Sequence, residues 1–206
     1  MRGYARCAIL ADVCYWDDID IISDANLEEI ITHLKQRGVQ YLNNFHGNPK
    51  VRISDGRTVD IWSLGRDTIL AQLNAFEFNV DCVGVEVTSG AVINPLGLGA
   101  NDRKLRLQRA DLEYEPYLCA KSIYLCLRHD LSAADKQTLR CMRQQINANG
   151  FLAKNIYRLC RELACTGVRD LPIRLQRLSL EIGRSSILDR FREILEPTAN
   201  PLGIWS

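Results

Sequence analysis

Apolar and polar positions change period twice along this chain. In residues 18–23 (DIDIIS) Asp18 and Asp20 alternate with Ile19 and Ile21, the two-residue period of a strand. Residues 26–37 (NLEEIITHLKQR) place Leu27, Ile30, Ile31 and Leu34 at helical spacing, with Asn26 as N-cap and Gly38 as stop. A short strand is expected over 39–45, then a turn at His46-Gly47-Asn48-Pro49. Val51 and Ile53 lead into Asp55-Gly56, a strong hairpin signal, and Val59–Trp62 reads as the return strand. Helices are expected over 4–14 and 66–74, a strand over 76–87, a turn at 88–90 and a short strand over 91–93. From about residue 111 the pattern is helical throughout, with helices expected over 115–130, 132–148, 151–164 and 171–194. The order is mixed α/β first and all-α second, with the boundary near residue 112.

Composition narrows the class. Apolar residues make up 47% of the 206 and charged residues 25%. That is ordinary for a globular protein and excludes a disordered chain. No apolar run reaches membrane-spanning length and no signal peptide is visible, so a cytoplasmic protein without a membrane partner is expected. Net charge is +1, but its distribution is uneven: residues 1–120 carry 12 Lys/Arg against 17 Asp/Glu, and residues 121–206 carry 14 against 8. An acidic front half and a basic back half suit a metal site followed by a surface that meets phosphates, and a solvated basic helical face produces the same asymmetry. The eight cysteines form no C-x-x-C pair and sit largely on apolar faces, as buried thiols do in a reducing compartment.

The candidate chemistry lies in the carboxylates. Asp18 and Asp20 share one strand face, and like charges side by side repel more strongly as burial increases. A divalent cation offsets that repulsion. Asp60, in the return strand VDIW, supplies a third carboxylate among apolar residues. If the two strands pair, Asp60 faces Asp18 and Asp20. Three carboxylates on two strands suit two Mg²⁺ ions that activate a hydroxyl and neutralise a triphosphate. Trp62 shares the face of Asp60 and is expected to border the site.

Six segments, in order, resemble the nucleotidyltransferase superfamily, and within it the head domain of tRNA nucleotidyltransferases and poly(A) polymerases. They are RGYAR (2–6), similar to a glycine phosphate-binding turn; DDID (17–20), similar to an Asp-x-Asp strand; VDIW (59–62); FEFNVD (76–81); INPLGLGANDRKLR (93–106); and EPYLCAKSIYLCLRH (115–129), similar to the opening helix of a neck. The resemblance covers about residues 1–130. It implies an α+β fold: a nucleotidyltransferase-like mixed sheet with helices as the catalytic head domain (1–112), followed by an all-α helical neck/body domain (113–206). It implies Asp18, Asp20 and Asp60 as catalytic and metal-binding residues of a two-metal Mg²⁺ site. Gly3 and Arg6 would contact the triphosphate, Asn79 would order the site, and Arg103, Lys121 and Arg128 would meet nucleotide or RNA phosphates. The implied donor is an NTP, ATP or CTP, and the implied acceptor is an RNA 3′ end such as that of tRNA. The chain departs from the pattern at Arg2-Gly3, where the family has two glycines, and at Cys7, Glu77, Asn94 and Lys121. Two functions follow: an active nucleotidyltransferase, or a degenerate member that binds nucleotide, RNA or a protein partner without turnover.

Overall fold

The computed structural model describes residues 18–44, 46–99 and 101–196. Gly3, Arg6, Cys7, Trp16 and the helix expected over 4–14 lie outside the described residues. The chain divides into two compact units, one ending at Asp102 and the other beginning at Arg103.

The first unit is built on a four-stranded mixed sheet of β1 (Asp18–Ser23), β2 (Tyr41–Asn43), β3 (Pro49–Arg52) and β4 (Thr58–Ser63), in the order β1-β4-β3-β2. β1 and β4 are parallel, and the other two pairings are antiparallel. Helix α1 (Leu27–Gln36) follows β1. Its N-terminus is closed by a capping box, with Glu29 N donating to Asn26 Oδ1 at 3.0 Å and Asn26 N donating to Glu29 Oε2 at 2.8 Å. Ile30 and Leu34, one turn apart, are its buried pair, and α1 packs against β4. Strand alternation puts Ile19, Ile21, Val51, Val59 and Ile61 on one face of the sheet and Asp20, Asp60, Lys50 and Arg52 on the other.

The hairpin between β3 and β4 is longer by one residue than a two-residue Asp-Gly turn. Ile53 and Arg57 close it, with Ile53 N donating to Arg57 O at 2.9 Å, and Gly56 takes φ +89°. That geometry, which favours glycine, sets Lys50 opposite Asp60. A two-residue turn would have shifted the register by one and sent Lys50 to the other face.

After α2 (Ile69–Asn74), residues 76–87 do not form the expected strand. A 3₁₀ turn occupies Asn79–Asp81, and only Gly84–Val85 (β5) pairs, with Val92–Ile93 (β6). Phe78, Val80, Cys82 and Val83 are all buried, so the run is apolar because it is core. Its backbone is satisfied locally, with Asp81 N donating to Phe78 O at 2.9 Å and Cys82 N to Asn79 O at 3.0 Å. A short apolar run does not by itself distinguish strand from buried turn.

The second unit centres on α3 (Pro116–His129). Pro116 opens it, Glu115 Oε2 accepts from Leu118 N at 2.8 Å, and Asp130 ends it in the left-handed region at φ 57°. Around it pack α4 (Lys136–Met142), α5 (Gly150–Cys165), α6 (Leu171–Ile182) and α7 (Ser186–Leu195). Ile123, Leu125, Ile156, Ile187 and Phe191 are fully buried here. Two expected helices are corrected. Residues 132–148 begin with a parallel pairing between Ser132–Ala133 (β8) and Lys104–Leu105 (β7), and α4 starts only after the Asp135 cap. The helix expected over 171–194 breaks at Gly183, φ +74°, and Ser185 caps α7 by accepting from Leu188 N at 3.2 Å. Among the described residues no helix is long and apolar enough to cross a membrane.

Candidate functional site

One row of side chains crosses the polar face of the sheet. Cross-strand partners share a face, so the register places Asp20 (β1), Asp60 (β4), Lys50 (β3) and Leu42 (β2) side by side. Neighbouring strands lie about 4.8 Å apart, which brings the two carboxylates within reach of a shared ligand. Asp18 occupies the same phase of β1, opposite Thr58. Its side chain lies outside the described residues.

Asp60 is buried, and both of its oxygens are engaged. Lys50 Nζ lies 3.0 Å from Oδ2, and Asn44 Nδ2 donates to Oδ1 at 2.9 Å. Asn44 is itself fixed by the turn that follows β2. Its Oδ1 accepts from His46 N at 2.9 Å and Asn48 N at 3.0 Å. The turn, the β3 lysine and the β4 carboxylate therefore form one connected polar network. On the other side, Trp62 donates its indole N–H to Asp20 Oδ1 at 3.3 Å, and the His46 ring stands 5.3 Å from the Trp62 ring. Trp62 thus borders the carboxylates, as its strand phase leads one to expect.

Asn44 and Lys50 are site residues that sequence reasoning missed. The signal for Asn44 was the N-x-H-G-N turn itself, in which an Asn folds its side chain back on the backbone two and four residues on. Lys50 carried no signal without the hairpin register.

The remaining candidates lie on other elements. Asn79 is buried in the 3₁₀ turn of the first unit. Arg103, Lys121 and Arg128 belong to the second unit. Arg103 Nη1 donates to His129 O at 3.0 Å, at the end of α3. Arg128 pairs with Glu162, hydrogen-bonds the Tyr124 hydroxyl and lies 5.7 Å over the Tyr124 ring. Burial and the neighbouring Glu162 hold the Tyr124 hydroxyl above its ordinary titration range.

The donor set of the row fits a hard divalent cation by chemistry. Asp20 and Asp60 offer carboxylate oxygens from two rigid, directly paired strands, and Mg²⁺ takes oxygen ligands of this kind. Among the described residues no group of three His, Cys, Asp or Glu side chains converges as a metal site. Lys50 is the resident cation on Asp60, and a metal ion there must share or displace it.

No protein-family model and no curated protein matches the chain. Solved structures do. In fold the chain resembles solved CCA-adding enzymes and a tRNA nucleotidyltransferase. It is similar to a CCA-adding enzyme in complex with ATP (TM-score 0.64, 13% identity, 98% of this chain and 58% of that one). It is similar to a CCA-adding enzyme in complex with CTP (TM-score 0.61, 17% identity, 97% and 49%). A third is a tRNA nucleotidyltransferase with a primer tRNA and an incoming ATP analogue (TM-score 0.59, 14% identity, 94% and 57%). The chain spans about half the length of these proteins.

Proposed function

We propose that the protein is a metal-dependent nucleotidyltransferase that passes a nucleoside monophosphate from an NTP to the 3′ hydroxyl of an RNA. The observation that carries this reading is the in-register pairing of Asp20 and Asp60 on adjacent parallel strands, with Asp18 in phase. The fold it shares with CCA-adding enzymes solved with ATP and CTP supports an NTP donor, ATP or CTP. The neighbour solved with a primer tRNA supports an RNA acceptor, with tRNA as the first choice. We assign residues 1–112 to the catalytic head and 113–206 to a helical neck/body, working in the cytoplasm.

Asp18, Asp20 and Asp60 would hold two Mg²⁺ ions, which when bound lower the pKa of the attacking hydroxyl and neutralise charge on the leaving pyrophosphate. The chain's own residues hold and orient the reactants. Asn44 and Lys50 fix the Asp60 carboxylate, and Asp60 faces the hydroxyl. Asp20 is oriented by the Trp62 N–H. Gly3 and Arg6 are assigned to the triphosphate, Asn79 to ordering the site, and Arg103, Lys121 and Arg128 to phosphate contacts. In the transfer the acceptor oxygen bonds to the α-phosphorus, the bond to the β-phosphate oxygen breaks, pyrophosphate leaves and the hydroxyl proton passes to solvent.

One observation favours a second reading, a degenerate protein that binds nucleotide, RNA or a protein partner without turnover: Lys50 already neutralises Asp60. Incubation with each NTP, labelled at the α-phosphate, with Mg²⁺ and either total tRNA or a generic RNA oligonucleotide separates the two. Label in RNA with ATP or CTP supports transfer. Folded protein that labels no acceptor with any NTP supports the binding-only reading.

A further inference from the structure

Two helices of the second unit bring a pair of thiols together. Cys119, in the first turn of α3, and Cys141, near the end of α4, are fully buried with their Sγ atoms 3.5 Å apart. Among the described residues this is the one contact between cysteine sulfurs.

The contact is held by a connected frame. The Cys119 S–H lies 3.8 Å from Glu113 O, and the buried Glu113 carboxylate accepts from Arg140, the neighbour of Cys141, with Nε at 2.7 Å from Oε1 and Nη2 at 3.3 Å from Oε2. Both ends of α4 are tied down. Thr138 Oγ1 accepts from Leu107 N at 3.1 Å, and Met142 O accepts from Ser185 Oγ at 2.6 Å. Sulfurs already in contact close to a bond by side-chain rotation. The two thiols also differ in acidity. The Cys119 S–H hydrogen bond outweighs burial and holds the Cys141 thiol below its ordinary 9.0, while the same bond, with burial, holds Cys119 above it. Cys141 is therefore the nucleophile of the pair and Cys119 the resolving thiol.

We propose that Cys119 and Cys141 are a peroxide-responsive dithiol, which oxidises to a reversible disulfide that clamps α3 to α4. The Cys141 thiolate attacks one oxygen of hydrogen peroxide, the O–O bond breaks and hydroxide leaves, taking up the thiol proton as water. The sulfenic acid so formed is attacked by the Cys119 sulfur. The S–O bond breaks, and the Cys119 proton leaves with that oxygen as a second water. Two thiols are oxidised, one peroxide is reduced, and one disulfide and two waters result. Complete burial selects the oxidant. A protein disulfide or a bulky reagent does not reach these sulfurs, whereas peroxide, with two heavy atoms, enters through local opening beside residues 143–149, which form no regular secondary structure. The bond joins residues 22 apart in sequence and so restricts the unfolded chain. The proposal does not depend on nucleotidyl transfer.

The test treats the full chain with hydrogen peroxide, alkylates the remaining thiols in denaturant and maps the unreduced peptides by mass spectrometry, for wild type, Cys119→Ala and Cys141→Ala. The expected result is one linked product carrying Cys119 and Cys141, lighter by two hydrogens than its two reduced peptides, cleaved by dithiothreitol and missing from both variants. In thermal unfolding followed by circular dichroism, oxidised wild type should melt at least about 5 °C higher than reduced wild type, and dithiothreitol should abolish the gain. Folded wild type that gives no such product, or that joins either sulfur to a different cysteine, overturns the proposal. So does a linked product with an unchanged or lower Tm, because the bond then clamps nothing. Should a variant fail to fold, the wild-type map and its reversal by dithiothreitol decide the question alone.

Discussion

Lys50 stands directly across the β3–β4 pairing from Asp60, its Nζ 3.0 Å from the carboxylate Oδ2. A lysine in this position balances the charge of a buried carboxylate and also competes with any metal ion for the same oxygen. Removing a bound cation from a carboxylate raises its affinity for another cation. Lys50→Met should therefore bind Mn²⁺ about tenfold more tightly than wild type, about 1.4 kcal/mol. The free Mn²⁺ signal in an electron paramagnetic resonance titration measures it. Equal or weaker binding in the folded variant would mean that Lys50 does not hold the metal-facing oxygen.

Asn44 links the turn at 44–48 to the site. Its side chain accepts two backbone N–H groups and donates to Asp60. Asn44→Ala should destabilise the first unit by about 1–2 kcal/mol, the cost of leaving these partners unsatisfied. Urea unfolding followed by circular dichroism reports it, and an unchanged midpoint would show that the turn holds without Asn44.

In the second unit Asp130 combines two roles. It ends α3 in the left-handed region and pairs with Arg177 and with Arg174, the latter at 3.6 Å. The Arg177 hydrogen bond, aided by the charges of Arg174 and Arg103, holds its carboxyl below the ordinary 3.8. A depressed pKa contributes stability that is fully present above 3.8 and is lost as pH falls through the folded value. Asn tolerates the left-handed backbone, so Asp130→Asn isolates the charge. The variant should be less stable at pH 7 by about 0.2–1 kcal/mol, the range for exposed pairs. The gap to wild type should close below pH 3.8. A gap that persists there would assign the loss to the backbone.

The described cysteines are all free thiols, and five of the six are buried. Burial, with the Asp81 and Glu77 charges nearby, pushes the Cys82 thiol up to about 12, and burial pushes Cys160 to about 12 as well. Since the thiolate is the reactive form, neither should react at pH 8 in the folded protein. In a titration with Ellman's reagent, Cys165→Ser should lose one fast thiol, while the five buried ones respond only in denaturant. Fast modification of Cys82, identified by mass spectrometry, would contradict its burial.

Much of this was legible in the sequence where a local rule and the tertiary context agree. β1 and β4 alternate, Asn26 caps α1, and the helical period from 115 gives α3; each of these elements formed where its pattern placed it. The misses share a cause in non-local geometry. The partnership of Lys50 with Asp60 depends on one extra residue in the Asp55-Gly56 hairpin, and no single-strand pattern encodes it. The run 76–87 has strand composition because it is buried, yet its backbone turns on itself. The break at Gly183 was visible as a glycine two residues before a serine cap, but the apolar period continues through it and concealed it. The ion pair of Arg128 with Glu162 joins residues 34 apart on two helices, which no single-helix pattern encodes.

The central claim is that Asp20 and Asp60 together support nucleotidyl transfer, and a near-isosteric change at one of them tests it most directly. Incorporation of α-labelled ATP and CTP into RNA would be compared between wild type and Asp60→Asn, with matching circular dichroism spectra as the folding control. The account predicts label with wild type and a loss of at least about 100-fold in the variant, as when a group that stabilises the transition state is removed. Incorporation by Asp60→Asn at the wild-type rate, or none by folded wild type, would contradict it.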